Sequence, residues 1–81
     1  EALALANDSA YGLGGAVFSR DRERARALAE RLDVGMSNVN TPMGEGPEIP
    51  FGGTKRSGFG RELGPLAMDE FVNKRIFFVA D

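Results

Sequence analysis

The apolar positions of this chain follow two periods, and each predicts a different element. In RDRERARALAERLD, residues 20–33, Ala25, Leu28, Ala29 and Leu32 recur at i, i+3, i+4 and i+7. That spacing predicts an amphipathic helix with a single apolar stripe. Ser19 or Asp21 can cap its start, Asp21 and Glu23 suit the positive end of its dipole, and Gly35 can end it in the left-handed conformation. Short apolar runs flank it. GGAVFS predicts a buried strand around Ala16–Ser19, and MSNVN, residues 36–40, predicts a second. Strand, helix and strand in this order form a βαβ unit, which pairs its strands in parallel.

Outside that unit the pattern is less regular. Residues 1–8 predict a helix tail, broken by Asn7, Asp8, Ser9 and then Gly12. Pro65 can start a short helix through about Phe71. The closing run FVNKRIFFVA predicts a strand with Val72, Ile76 and Phe78 on one face and Phe71, Phe77 and Val79 on the other. A strand apolar on both faces should pair with another part of the molecule or another subunit. The chain opens in a helical pattern with no methionine, so a C-terminal piece of something longer is expected.

Between the second strand and Pro65 runs a loop of more than twenty residues holding most of the glycines and all but one of the prolines. A loop of that length points to function or to packing against a partner. It leaves the carboxyl end of a parallel strand, where open sheets bind their ligands. Residues 41–62 are therefore the best site candidate by position alone.

Composition narrows the chemistry. The chain has 81 residues, net charge −2, and neither cysteine nor histidine. Disulfides, thiolate chemistry and histidine-based triads are excluded, and zinc sites nearly so. No apolar run approaches a membrane span, and the mixed charge favours neither nucleic acid nor an anionic surface, so the chain reads as soluble and cytoplasmic.

Within PFGGTKRSGFGRE, residues 50–62, three chemistries compete. A phosphate cradle is weak, because the glycines at 58, 60 and 64 are one residue out of register for G-x-G-x-x-G and follow no strand directly. The Gly-Phe-Gly of an RNA-recognition core is present, but Arg61 and Glu62 stand where it needs apolar and aromatic residues. Lys55, Arg56 and Arg61 could hold a carboxylate substrate, although ion pairs within a larger fold explain them better. Glu45, Glu48 and Glu62 could serve as acid or base if buried, and Asn40 reads as a turn former. No carboxylate cluster suggests a metal site. Taken alone, these residues support a packing loop beside a site and specify no reaction.

Three stretches together carry a resemblance. ALANDSAYGLGGAVFSRDRERA, GMSNVN and PFGGTKRSGFGREL resemble, in order and spacing, the C-terminal part of NAD(P)-dependent aldehyde dehydrogenases. The patterns matched are N-D-x-x-Y-G-L, then V-N, then P-F-G-G-x-K-x-S-G-x-G-R-E. The resemblance implies an α/β fold. Residues 1–70 would be the βαβ portion of a catalytic domain's parallel sheet, and residues 71–81 a C-terminal oligomerisation strand. It implies oxidation of an aldehyde to its acid through a cysteine thiohemiacetal, hydride transfer to NAD or NADP, and thioester hydrolysis. The nucleophile, the general base and most of the dinucleotide site would precede this region, so no catalytic residue is expected here and the 81-residue chain alone should be inactive.

The same resemblance implies roles for individual residues. Phe51 would line the substrate tunnel near the nicotinamide. Residues 41–49, with Met43, Gly44 and Glu45, would form the variable tunnel mouth. Glu62 would lie behind the site in a proton relay, and Asn40 and Arg61 would be structural, Arg61 supporting a subunit interface. The implied partners are an aldehyde, the remainder of the enzyme, and further subunits in a homodimer or homotetramer. Bacterial succinate-semialdehyde dehydrogenases resemble KRSGFGREL and DEFVNKR most. Glu45 and Glu48 would repel a substrate carboxylate if they faced the tunnel, with Arg56 the candidate counter-charge. The alternative is a truncated, non-catalytic binding or assembly module of the same fold.

Overall fold

The computed structural model describes residues 1–44 and 46–81. Its elements in order are α1 (Ala2–Asn7), β1 (Tyr11–Gly12), β2 (Gly14–Val17), α2 (Arg22–Ala29), β3 (Met36–Val39), β4 (Thr54–Lys55) and a 3-10 helix (Pro65–Phe71). The amphipathic helix forms as its pattern requires. Asp21 caps α2 by accepting the Arg24 N–H at 3.1 Å, while the Ser19 hydroxyl accepts from the Asp21 N–H. Ala25 and Ala29 are buried, and Leu28 and Leu32 are half-buried beside them. Two alanines on the inner face let the helix sit close to β2 and β3. The exposed Arg26–Glu30 pair at 3.2 Å adds only a few tenths of a kcal/mol, about 0.3–0.5.

β2 and β3 pair in parallel, Gly14 opposite Met36 through Val17 opposite Val39. The first strand thus lies two residues earlier than the Ala16–Ser19 expectation. Leu32, in the turn after α2, comes to within 3.0 Å of where a Cβ of Gly15 would stand, so the glycine is what lets this turn sit on the strand. The ladder ends where Asn40 turns to φ 59° and its Oδ1 accepts the Ser19 N–H at 2.8 Å. Asn40 is a turn former, as its position predicts.

Three expectations need correction. Gly35 does not end α2: the helix stops at Ala29 with Glu30 still right-handed, and the last turn tightens through Arg31 N–H to Leu28 O and Leu32 N–H to Ala29 O. Gly35 is instead a close-approach point, where an added Cβ would collide with the Gly52 carbonyl oxygen. Next, the loop is not free of strand structure, because β4 pairs antiparallel with β1, Tyr11 opposite Lys55 and Gly12 opposite Thr54. Last, Phe71 closes the 3-10 helix, and residues 72–81 form no strand among the described residues. A strand is defined by a ladder partner, and among the described residues this segment has none.

The core is thin, with Ala25 and Ala29 as its buried apolar side chains. A compact domain of this length would have a radius of gyration of about 12 Å, against 16.8 Å here. The surface tells the same story: 6845 Å² is exposed, where a closed fold of 8.7 kDa would leave about 4,700 Å². An open groove of about 800 Å³ runs between α1, β2 and α2, lined by Leu3, Val17, Phe18, Leu28 and Leu32.

Candidate functional site

The glycine-rich loop is pinned at its centre. Lys55 holds a left-handed backbone, φ 55°, and its ammonium donates to Asn7 O at 2.9 Å and Ser9 O at 3.1 Å. It also pairs with Asp33 at 3.3 Å. A cation on the last carbonyl of α1 satisfies an orphan acceptor and complements the helix dipole. The neighbouring bonds repeat the theme. Ser57 accepts the Gly12 N–H at 3.0 Å, and the Arg56 N–H donates to Ala10 O at 2.8 Å. From the other side the Asn7 amide donates to Arg31 O and accepts from the Asp33 N–H, tying α1 to the turn after α2. Lys55 is thus a tether between segments far apart in the chain, the ion-pairing alternative to a substrate contact. Lys55→Met, which keeps the stem and removes the donors, is expected to destabilise the intact protein by about 1–3 kcal/mol, read as a lower urea midpoint at unchanged m.

Upstream and downstream of this pin the loop closes on itself. Phe51 and Glu62 face each other as an antiparallel bridge, each N–H donating to the other's carbonyl at 2.8 Å. Arg61 crosses the same neck. Its Nη1 donates to Gly53 O at 2.9 Å and to Gly60 O at 2.7 Å. Gly60 has φ 86°, and Gly52 could carry no side chain, because a Cβ there would lie 2.5 Å from Gly60 O and 2.8 Å from Arg61 Cδ. The result is a cavity of about 300 Å³ walled by Leu13, Phe51, Phe59, Arg61, Glu62 and Glu70. Phe51 is half-buried in it and Phe59 fully exposed at its rim.

The structure brings Phe51, Arg61 and Glu62 together on one cavity wall. It places Met43 and Gly44 apart from that cavity, both exposed; the Met43 carbonyl accepts from the Thr41 hydroxyl at 3.2 Å. Glu45 lies outside the described residues. Glu62 is exposed, held here through its backbone. Sequence reasoning missed Glu70, which the 3-10 helix carries to the cavity wall, and it missed Asn7, Thr54 and Ser57 as the loop's anchors. Asn7 sits inside the first motif, which was its available signal; nothing local marks Glu70. Among the described residues no cluster of acids could hold a metal ion.

Several of the loop's amides are already committed. Those of Phe51, Arg56, Ser57, Gly58, Glu62 and Gly64 all donate to backbone carbonyls. This geometry shapes a wall and places an aromatic ring on it.

Comparison with known proteins places the chain in a family. A family model described as "Aldehyde dehydrogenase family" matches residues 1–77. The chain is 59% identical over 76 residues to a succinate-semialdehyde dehydrogenase (NADP+) of Deinococcus radiodurans, covering 94% of this chain and 16% of that protein. In structure it is similar to the succinic semialdehyde dehydrogenase of Streptococcus pyogenes in complex with NADP+, with TM-score 0.85 and 46% identity, covering 99% of this chain and 18% of that one. It is also similar to the betaine aldehyde dehydrogenase of Staphylococcus aureus in complex with NAD+, with TM-score 0.83 and 46% identity over 88% and 14% of the two chains. The chain therefore spans less than a fifth of each of these relatives.

Proposed function

We propose, since the chain belongs to the aldehyde dehydrogenase family, that it is the C-terminal part of an enzyme oxidising an aldehyde to its carboxylic acid with NAD or NADP. The observation that carries this reading is the family match over residues 1–77. The chain has no cysteine, so the nucleophile comes from the rest of the protein. The role left to these residues is to build the tunnel wall. Phe51 presents its ring, Glu62 stands behind it, and residues 41–49 form the mouth. Residues 71–81 would find their ladder partner in a second subunit of a cytoplasmic homodimer or homotetramer, with Arg61 at the interface.

A pyrophosphate needs free amides or cations, and the loop amides bonded to carbonyls, with Lys55 held by Asn7, Ser9 and Asp33, do not supply them. Phe51 is the group proposed here to face a planar nicotinamide. No step through the cofactor is assigned to this chain.

The favoured substrate is succinate semialdehyde, supported by the likeness to the Deinococcus radiodurans relative. Steady-state assays of the full-length protein against semialdehydes, uncharged aldehydes and quaternary-ammonium aldehydes, each with NAD and NADP, test it. The highest kcat/KM is expected for succinate semialdehyde. A preference of tenfold or more for a cationic aldehyde, about 1.4 kcal/mol, would replace that assignment and leave the family chemistry standing. Absence of turnover with every aldehyde would favour the non-catalytic module.

A further inference from the structure

We infer that Arg61 is a positioning residue for Phe51, acting through the backbone of the loop neck; the inference rests on Phe51 being part of the substrate wall. Three observations place it there. The half-buried Arg61 side chain lies directly over Gly52, its Cδ 2.8 Å and its Nη1 3.2 Å from where a Cβ of that glycine would be. Its Nη1 donates to Gly53 O at 2.9 Å on one arm of the neck and to Gly60 O at 2.7 Å on the other. The next residue, Glu62, fixes Phe51 by two backbone bonds of 2.8 Å. Residues 61 and 62 therefore grip 51, 52 and 53 from one side, by a cationic side chain and by a ladder pair.

Charge-assisted bonds to two carbonyls are geometrically demanding, and the planar guanidinium meets them with one nitrogen. The Arg61 guanidinium reaches both arms of this neck, so its loss acts on Phe51 through the backbone. Glycines on both arms soften the backbone beside the Phe51–Glu62 pair, so loss of the clamp lets the Phe51 ring shift from its place on the wall. A misplacement of about 1 Å is enough to lower the rate of a positioned reaction.

The test uses the full-length enzyme with kcat/KM measured over a series of unbranched aldehydes and normalised by active-site titration. Arg61→Met is expected to lower kcat/KM about tenfold for aldehydes long enough to reach Phe51 and less than about twofold for a two-carbon aldehyde. Added to Phe51→Ala it is expected to cost less than about twofold more, because both changes act on one wall. Arg61→Lys, which keeps the stem over Gly52 and the charge, should fall between wild type and Arg61→Met. If Arg61→Met does not fold, Arg61→Lys decides by the same length dependence. An equal loss for every aldehyde, or a full tenfold loss on top of Phe51→Ala, would overturn the inference alone. A Phe51→Ala enzyme with unchanged kinetics would overturn the wall reading and this inference with it.

Discussion

Replacing Gly35 by alanine in the intact protein is expected to destabilise it by about 3 kcal/mol or more. The added methyl would overlap the Gly52 carbonyl oxygen and stand 2.6 Å from Gly53 Cα and 2.7 Å from Gly52 C. Every one of those atoms is backbone, so no rotamer change relieves the clash. The segment that must move is the arm of the loop that carries Phe51. Gly35 cannot retreat either, because its N–H donates to Gly12 O at 3.0 Å and the next residue enters β3. The result should be a much smaller soluble yield and a fall in the inactivation temperature. Gly14→Ala is the comparison, since the nearest atom to its new methyl is Met36 O at an ordinary 3.6 Å. A Gly35→Ala protein as heat-resistant as Gly14→Ala would show that the two backbones do not meet this closely.

This close approach is also where the sequence stopped being informative. The Ala25, Leu28, Ala29 and Leu32 stripe is a local signal, and α2 with β2 and β3 beside it followed from period alone. The choice of residues 41–62 as the candidate site rested on the parallel strand's carboxyl end. Two-residue strands carry no period, so the Tyr11–Gly12 and Thr54–Lys55 pairing could not be read from either run. Gly35 resembled a helix terminator because its partner, Gly52, lies seventeen residues on and only the fold brings them together. Lys55 was ambiguous for the same reason: its acceptors at Asn7 and Ser9 are 48 and 46 residues away. Glycine and lysine in a loop say that the backbone or a charge is needed; they do not say by what. The terminal run is the opposite case. Ile76, Phe77 and Phe78 are 94%, 80% and 82% exposed, and among the described residues their two-faced apolar pattern has no strand partner.

Phe51→Ala in the full-length enzyme is expected to lower kcat/KM for the preferred aldehyde by roughly 10- to 100-fold, about 1.4–2.8 kcal/mol, with little change in heat resistance. The separation of the two effects comes from how the residue is held. Its position depends on the backbone bonds to Glu62 at 2.8 Å in each direction, and alanine keeps both. What the substitution removes is the ring, one of two aromatic walls of a cavity of about 300 Å³. The other, Phe59, is fully exposed at the rim and flanked by Gly58 at φ 111° and Gly60 at φ 86°, so it has no comparable support. A widened tunnel binds a slender aldehyde less well in every orientation and lets it rest away from the productive one, so kcat and KM should both worsen. Phe51→Leu restores much of the volume without the flat face and should recover part of the loss. A bulkier aldehyde should lose least, because it can occupy the space the ring vacates. If kcat/KM for slender and bulky aldehydes fell alike, Phe51 would be acting on the catalytic centre itself and not as a wall.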